Sequence, residues 1–151
     1  MNPKLTARDI AVILSVYKCR YLTGTQIERL HFASKRPMWR RIQALLELGF
    51  IKSFTAPHIP ERIFYLDKKG AEIVAIESRI PFEDLEWYPH TRAPKDYYFL
   101  RHFLAINDFR IVLTLACQKS TIELIGFIPE YVETDRQSPP RACALTALVR
   151  S

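Results

Sequence analysis

Apolar residues recur at helical spacing through the first third of the chain and predict three short helices. The first apolar stripe consists of Ile10, Ile13, Leu14, Tyr17 and Tyr21. Thr6 precedes this stripe at the N-cap position, and Asp9 follows three residues later as the partner in a capping box. Residues 22–25 break the pattern, and a short second helix follows, with Thr23 or Thr25 as its cap and Ile27 on its apolar side.

The third helix is predicted to begin at Ser34, which caps it, and to end at Gly49. Pro37 is compatible with this helix because it lies in the first turn. At 100° per residue, one face is apolar and the opposite face is polar. The apolar face carries Met38, Ile42, Leu45 and Gly49, the polar face carries Arg36, Arg40 and Gln43, and Trp39 lies on the border. A short turn before such a helix predicts a helix-turn-helix motif.

Two short strands after the third helix predict a β-hairpin, the wing of a winged helix-turn-helix domain. Residues 50–54 alternate apolar and polar side chains, and residues 62–66 do so less cleanly. Residues 55–61 contain two prolines and form a seven-residue connection. His58 is expected at the hairpin tip with Arg62 nearby, where a wing contacts the DNA backbone.

The predicted fold is therefore mainly α with a small β-hairpin: a winged helix-turn-helix domain followed by a C-terminal region of one helix and one strand. The predicted segments are the DNA-binding domain at residues 1–78, a Pro-rich linker at 79–96 and the C-terminal region at 97–151. Asp67 is expected to cap a fourth helix within the first segment.

The C-terminal region is expected to begin with a helix, at about residues 97–118, that is apolar on nearly every side. Such a helix lies in a core or in a subunit interface, and the interface favours a homodimer. Residues 122–128 predict a strand, and residues 142–149 are small and apolar without a clear period. The region is either a dimerising segment or a truncated α/β domain.

The positive charge of the chain is concentrated in its first third. Residues 1–56 contain ten Lys and Arg against three acidic residues, a net charge of +7. Residues 57–151 contain twelve Lys and Arg against thirteen acidic residues, a net charge of −1. A compact basic block attracts polyanions through counterion release. The alternative is a solvated basic surface without a partner, and the clustering of the charges on one helix favours the polyanion.

The polar face of the third helix suits the DNA major groove, where Arg binds guanine and Gln binds adenine. The predicted DNA-binding residues are Ser34, Lys35, Arg36, Trp39, Arg40, Arg41, Gln43, His58 and Arg62. Lys35 and Ser34 would contact the backbone at the helix N-terminus. Trp39 either packs between the second and third helices or stacks against DNA, and Arg41 either braces the domain with an acid such as Glu28 or contacts phosphate.

The sequence indicates no enzyme, cofactor or metal site. A metal-dependent nuclease needs an acidic residue shortly before a Lys, yet no Lys follows Lys119. The carboxylates in question are Glu123, Glu130, Glu133 and Asp135. The four histidines are scattered, and His102 is interpreted as a buried structural histidine. No small-molecule ligand is evident.

The sequence also indicates a cytoplasmic protein. The N-terminus lacks the apolar core of a signal peptide, and no apolar stretch is long enough to span a bilayer. The three cysteines are widely spaced and include no Cys-x-x-Cys pair, which favours buried thiols in a reducing compartment.

Four segments together resemble the replication-relaxation proteins, which are winged helix-turn-helix proteins of bacterial plasmids and mobile elements. These segments read YLTGTQIERLHFAS, RRIQALLELGFI, RIFYLDKKGAEIVA and LRHFLAINDFRIVL, and the resemblance covers roughly residues 5–118. It implies DNA binding and a part in the replication or topology of plasmid DNA. Proteins of this kind are longer, so a truncation or a divergent tail is expected here.

Two functional hypotheses follow. The first is a double-stranded DNA-binding protein that acts as a homodimer in replication control of a plasmid or mobile element, or in transcription regulation. The second is a winged-helix module that binds a partner protein and makes no direct DNA contact.

Overall fold

The computed structural model describes residues 4–87, 97–128 and 146–150. Its elements are α1 (Ala7–Cys19), β1 (Leu22–Thr23), α2 (Gly24–His31), α3 (Lys35–Glu47), β2 (Ile51–Ala56), β3 (Ile59–Leu66), α4 (Lys68–Ser78), a turn of 3-10 helix (Phe82–Asp84), α5 (Tyr97–Gln118), β4 (Glu123–Ile128) and β5 (Thr146–Arg150). This order confirms the predicted mainly α fold with a winged helix-turn-helix domain. Most of the predicted linker, and Glu130, Glu133 and Asp135, lie outside the described residues.

The chain forms two compact units, Met1–Ala105 and Ile106–Ser151, and α5 contributes residues to both. The first unit therefore extends beyond the predicted boundary at residue 78. The reason is that the chain after α4 remains packed: Leu85 is buried, and Phe82 and Trp87 lie with their rings 6.0 Å apart. Residues 79–87 of the predicted linker therefore form packed structure.

The start of α1 follows the prediction, whereas its buried face does not. Thr6 accepts a hydrogen bond from the Asp9 backbone N–H, and the Asp9 side chain accepts one from the Thr6 N–H, which completes the capping box. The buried residues of α1 are Asp9, Val12, Ile13, Val16 and Cys19. The predicted stripe is thus rotated, because Val12 and Val16 enter the core while Ile10 and Tyr17 lie at its margin.

The three-stranded sheet has the order β1-β3-β2, and all pairs are antiparallel. Residues 22–23, predicted only as a break, form β1 and pair with Phe64 and Ile63 of β3. The predicted seven-residue connection of the wing is wrong: β2 ends at Ala56 and β3 begins at Ile59. Pro60 fits within β3 because the register between β2 and β3 shifts between Phe54 and Ala56, next to the turn.

The wing packs on two sides because its strands alternate side chains between faces. On one face, Phe64 is fully buried and its ring lies 6.1 Å from that of Trp39 in α3. On the other face, Ile63 forms a core cluster with Leu100 and Leu104 of α5. This packing fixes the wing between the helix-turn-helix motif and the first half of α5.

A side-chain hydrogen bond joins α2 to α5. Gln26 is buried, its Nε2 donates to the Leu104 carbonyl at 3.0 Å, and its Oε1 accepts from the Thr23 N–H at 3.0 Å. Thr23 in turn accepts from the Gln26 N–H, so α2 begins with a complete capping box. The position of α2 is thereby tied both to its own cap and to α5.

The junction of β3 and α4 requires a glycine. A Cβ at Gly70 would collide with the Phe50 carbonyl oxygen and would lie 2.6 Å from Leu66 Cδ1. Asp67 occupies the N-cap position of α4, as predicted, but its side chain makes no cap hydrogen bond. Its carboxylate instead forms an ion pair with Lys52 of β2 at 3.4 Å.

The second unit combines the end of α5 with a two-stranded sheet of β4 and β5. The strand predicted at 122–128 is confirmed as β4, whereas β5 forms where no periodicity was apparent. Phe127 packs against Phe109 with ring centroids 6.4 Å apart, and the Arg110 guanidinium lies 5.2 Å from the Phe127 ring.

The long helix α5 is less completely buried than its composition suggests. Phe109 and Val112 are 46% and 50% exposed, whereas Leu100, Phe103 and Ile111 are buried. The interpretation of His102 as a buried histidine is wrong, because its side chain is exposed on α5. Across the part of the chain that the structure describes, no helix is both long and apolar enough to cross a membrane.

Candidate nucleic-acid interface

The polar face of α3 presents a run of exposed cationic side chains. Lys35, Arg36 and Arg40 are exposed, whereas Met38 and Ile42 on the opposite face are buried. Within residues 4–87 and the other described segments, none of these three cations has a hydrogen-bond or ion-pair partner. The predicted division of the helix into a core face and a basic face is therefore present. We call Lys35, Arg36 and Arg40 the basic face of α3.

Arg41, also predicted to contact DNA, braces the domain. Its Nε donates to Asp9 Oδ1 at 2.8 Å and its Nη2 donates to Asp9 Oδ2 at 2.5 Å. The predicted bracing partner, Glu28, is therefore incorrect, and the partner comes from the first turn of α1. Burial of Asp9 would raise its pKa, but the hydrogen bonds from Arg41 and Thr6 outweigh burial, so the pKa is lowered. The same hydrogen bond raises the pKa of Arg41.

Trp39 packs between α2 and the wing. Of its two predicted roles, packing against the second helix is therefore present. A Cβ added to Gly24 would lie 3.3 Å from Trp39 Cζ2, so the glycine leaves room for the indole. The ring also meets Phe64 of β3 edge-on, with an interplanar angle of 61°. Because 43% of the residue remains exposed, Trp39 joins the core to the surface beside the basic face of α3.

The two ends of α3 are built differently. Ser34 occupies the N-cap position, as predicted, but its side chain makes no cap hydrogen bond. At the other end Gly49 adopts a left-handed conformation with φ of 79°, as the predicted terminator should. Lys69 adds a cap that the sequence did not indicate: its Nζ donates to the Leu48 carbonyl at 3.1 Å.

The basic face is limited to the first two turns of α3 because the acidic Glu47 lies near the other end of the helix. Gln43 is exposed, and its Nε2 donates to Glu47 Oε1 at 3.2 Å. The Glu47 carboxylate therefore occupies the amide that was predicted to reach a base, and its charge repels a phosphate at this end of the helix.

The wing carries the two remaining predicted residues. His58 lies in the two-residue turn with φ of 64°, exposed as expected of a hairpin tip. Arg62 is exposed in β3, two residues before Phe64, which packs against Trp39. Glu61 beside Arg62 accepts hydrogen bonds from Thr25 of α2.

The sequence did not predict the contacts of several residues that position this surface. Asp9 was assigned only to the capping box, and Glu61 and Lys69 were not singled out. Their partners lie 32, 36 and 21 residues away along the chain, respectively. Local periodicity carries no signal for contacts at such separations. Thr23 as one of two candidate caps of α2, and the border position of Trp39 on α3, were local signals that the sequence does carry.

No arrangement for a metal ion is apparent in the described segments, where no three His, Cys, Asp or Glu residues group together. Cys19 is buried and Cys117 is partly buried, and neither is part of a disulfide.

Comparison with known proteins gives one family match. A sequence model of the family described as Replication-relaxation matches residues 14–137. No curated protein matches the chain. A cysteine-to-serine mutant of MarR from E. coli, complexed with operator DNA, aligns with a TM-score of 0.47 and 16% identity, covering 68% of this chain and 74% of that chain. ZitR, a zinc-responsive MarR family member of Lactococcus lactis, aligns with a TM-score of 0.46 and 19% identity, covering 77% and 78%.

Proposed function

This chain belongs to the replication-relaxation family, and on that premise we propose that it binds double-stranded DNA through α3 and the wing. The observation that carries the proposal is the basic face of α3. Three exposed cations without partners in the described residues lie on a helix whose other face is anchored in the core. A cationic surface held rigidly in this way is complementary to a groove lined by phosphates.

Each cation of the basic face has a distinct proposed role. Arg36 and Arg40 are spaced four residues apart and project from the same side of α3, so both reach into the major groove, where a guanidinium binds guanine O6 and N7. Lys35, at the helix N-terminus with Ser34, binds a backbone phosphate, which the free amides of the first turn also favour. Gln43 contributes little because Glu47 occupies its amide.

The wing supplies backbone contacts in this proposal. Arg62 and His58 are exposed at its outer half, on a hairpin anchored by Phe64. Contacts of this kind position a recognition helix and carry no base specificity. Arg41 is left out of the proposed interface because its Nε and Nη2 both donate to Asp9, which holds the guanidinium against α1.

The proposed biological role is replication control of a plasmid or mobile element, or transcription regulation, in the cytoplasm and without catalytic activity. The family description supports the replication role. We further propose that the protein acts as a homodimer, since helix-turn-helix proteins match two half-sites by two-fold symmetry. The exposed Phe109 and Val112 of α5 support this, because apolar side chains of that size favour a covered surface.

The test is a titration of a labelled duplex over a series of salt concentrations. We expect affinity to fall steeply with salt, and Arg36→Ala or Arg40→Ala to weaken binding by about 1–3 kcal/mol if the lost contact is to a base. Lys35→Ala should reduce the salt slope by about one without changing base preference.

The matched control is Arg79→Asn, which removes one exposed positive charge from the end of α4. Arg79 has φ of 57°, a conformation that Asn tolerates. Its affinity for the duplex should remain near that of the wild type. Binding that is absent, or that does not depend on salt or on the basic face, would reject the proposal in favour of a protein-interaction module.

A further inference from the structure

Glu61 connects the wing to the second helix through one carboxylate oxygen. Its Oε1 accepts a hydrogen bond from the Thr25 backbone N–H at 3.1 Å and another from Thr25 Oγ1 at 2.5 Å. Glu61 lies in β3, and Thr25 is the second residue of α2. The contact therefore joins two elements that are 36 residues apart in the chain.

The start of α2 does not depend on this contact. Thr23 and Gln26 already form a complete capping box there. The Thr25 N–H is a different amide of the first turn, and it too has no partner within the helix. A carboxylate at this position is favoured by the helix dipole and by the charge-assisted hydrogen bonds that it accepts. The distinctive effect of Glu61 is thus to hold β3 against α2.

The contact lies where regular pairing of the wing weakens. The pairing of β1 with β3 stops at Thr23 and Ile63. On the other side, the register between β2 and β3 shifts between Phe54 and Ala56. Beyond these points the hairpin retains the pairing of Ala56 with Ile59, the packing of both residues on the Ile63 cluster, and the hydrogen bonds of the Glu61 carboxylate.

We propose that Glu61 is a positioning residue that sets where Arg62 and His58 of the wing meet the DNA backbone. The inference rests on the proposed DNA binding. Arg62 follows Glu61 directly and His58 precedes it by three residues, so a fixed Glu61 fixes the backbone that carries both. The role is notable because a carboxylate near phosphates repels them. Glu61 therefore favours DNA binding only if the positioning of the wing outweighs this repulsion.

Two substitutions separate position from charge. Glu61→Ala removes both the hydrogen bonds and the charge, whereas Glu61→Gln keeps an oxygen that accepts from Thr25 and removes only the charge. If Glu61 acts by positioning, the Ala variant binds duplex DNA about 3- to 10-fold more weakly, the loss of one backbone contact. The Gln variant binds as well as the wild type or more tightly.

A double-mutant cycle with Arg62→Ala tests whether Glu61 affects DNA binding through Arg62. In the Arg62→Ala background, Glu61→Ala should weaken binding by a smaller factor than in the wild type, because only His58 remains for Glu61 to position. The salt slope should fall by about one in Glu61→Ala, as in Arg62→Ala. Thermal unfolding of each variant confirms that the protein remains folded at the assay temperature.

The outcomes are distinct. Tighter binding by Glu61→Ala would show that repulsion dominates and would overturn the inference, as would equal losses in the Ala and Gln variants or fully additive effects with Arg62→Ala. In each of these cases the wild type still binds DNA, so the proposed function stands. A wild type that binds no duplex overturns both.

Discussion

Arg41 of α3 and Asp9 of α1 form a two-pronged ion pair, with hydrogen bonds of 2.8 and 2.5 Å. The Asp9 side chain is fully buried, whereas the Arg41 side chain is 34% exposed. Arg40, the preceding residue, is exposed and has no partner among the described residues. Two successive arginines therefore serve different purposes, one holding α3 in place and one facing outward from it.

Replacing Arg41 with Met should destabilise the fold, because it leaves a buried carboxylate without its cation. We expect a loss of about 2–3 kcal/mol, less than the ~3–5 kcal/mol of a fully buried pair because solvent reaches Arg41. Urea unfolding at pH 7 measures the change. Arg40→Met on the same helix should change stability by less than about 0.5 kcal/mol. Equal effects of the two substitutions would contradict a structural role for the Arg41–Asp9 pair.

Gly70→Ala should destabilise the protein although alanine favours helices. Helix propensity alone predicts a gain of about 1 kcal/mol. The new methyl group, however, collides with the Phe50 carbonyl oxygen, which accepts the hydrogen bond from the Asp67 N–H. Overpacking against backbone costs about 1–3 kcal/mol or more, so we expect a net loss.

The midpoint of chemical unfolding for Gly70→Ala, compared with that for Glu72→Ala, tests this expectation. Glu72 is exposed in the same helix, so its replacement should leave stability within about 0.5 kcal/mol of the wild type. A Gly70→Ala variant as stable as the wild type would mean that α4 can shift away from Phe50 without loss.

The sequence predicts the elements of this protein better than their connections. Thr6 with Asp9, and Gly49 after α3, are local signals, and the structure contains both the capping box and the left-handed helix end. The wing turn was predicted as too long because prolines usually end strands, whereas Pro60 lies within β3. A register shift beside the turn accommodates it, and such a shift depends on the partner strand.

In the candidate interface, too, local features were predictable from the sequence and contacts between distant elements were not. The exposure of Arg36 and Arg40 follows from helical periodicity alone. The withdrawal of Arg41 into a pair with Asp9 does not, because it depends on how α1 packs against α3. Likewise, Ser34 occupies the cap position that the pattern indicates, yet its side chain makes no cap bond. Position on a helix was predictable, and the choice of partner was not.

His31 should make the stability of the fold depend on pH. Its Nε2 lies 2.7 Å from Ser15 Oγ of α1, and burial, followed by the charge of Arg8, lowers its pKa. The unfolded chain therefore binds the proton more readily than the folded protein does. The stability due to neutral His31 is complete above the unfolded pKa of about 6.5 and is lost as pH falls toward the lower folded pKa.

A comparison of wild type with His31→Gln between pH 7.5 and 5 isolates this effect. Gln can still form a hydrogen bond with Ser15 and does not titrate, and the other histidines are common to both proteins. The wild type should lose more unfolding free energy on acidification than the variant. Parallel pH profiles would rule out His31 as the source.

The fluorescence of Trp39 can report whether DNA covers the basic face of α3. The chain has two tryptophans, Trp39 and Trp87, so Trp87→Phe leaves Trp39 as the only indole. Because Trp39 is 43% exposed beside Arg40, we expect bound duplex to shield it from acrylamide, lowering the quenching constant. Acrylamide is neutral, so the basic surface does not concentrate it. Trp39→Phe, which retains only Trp87, is the control and should be quenched equally with and without DNA. If Trp39 stays as accessible in the complex as in the free protein, the duplex does not lie against α3, even where binding depends on salt.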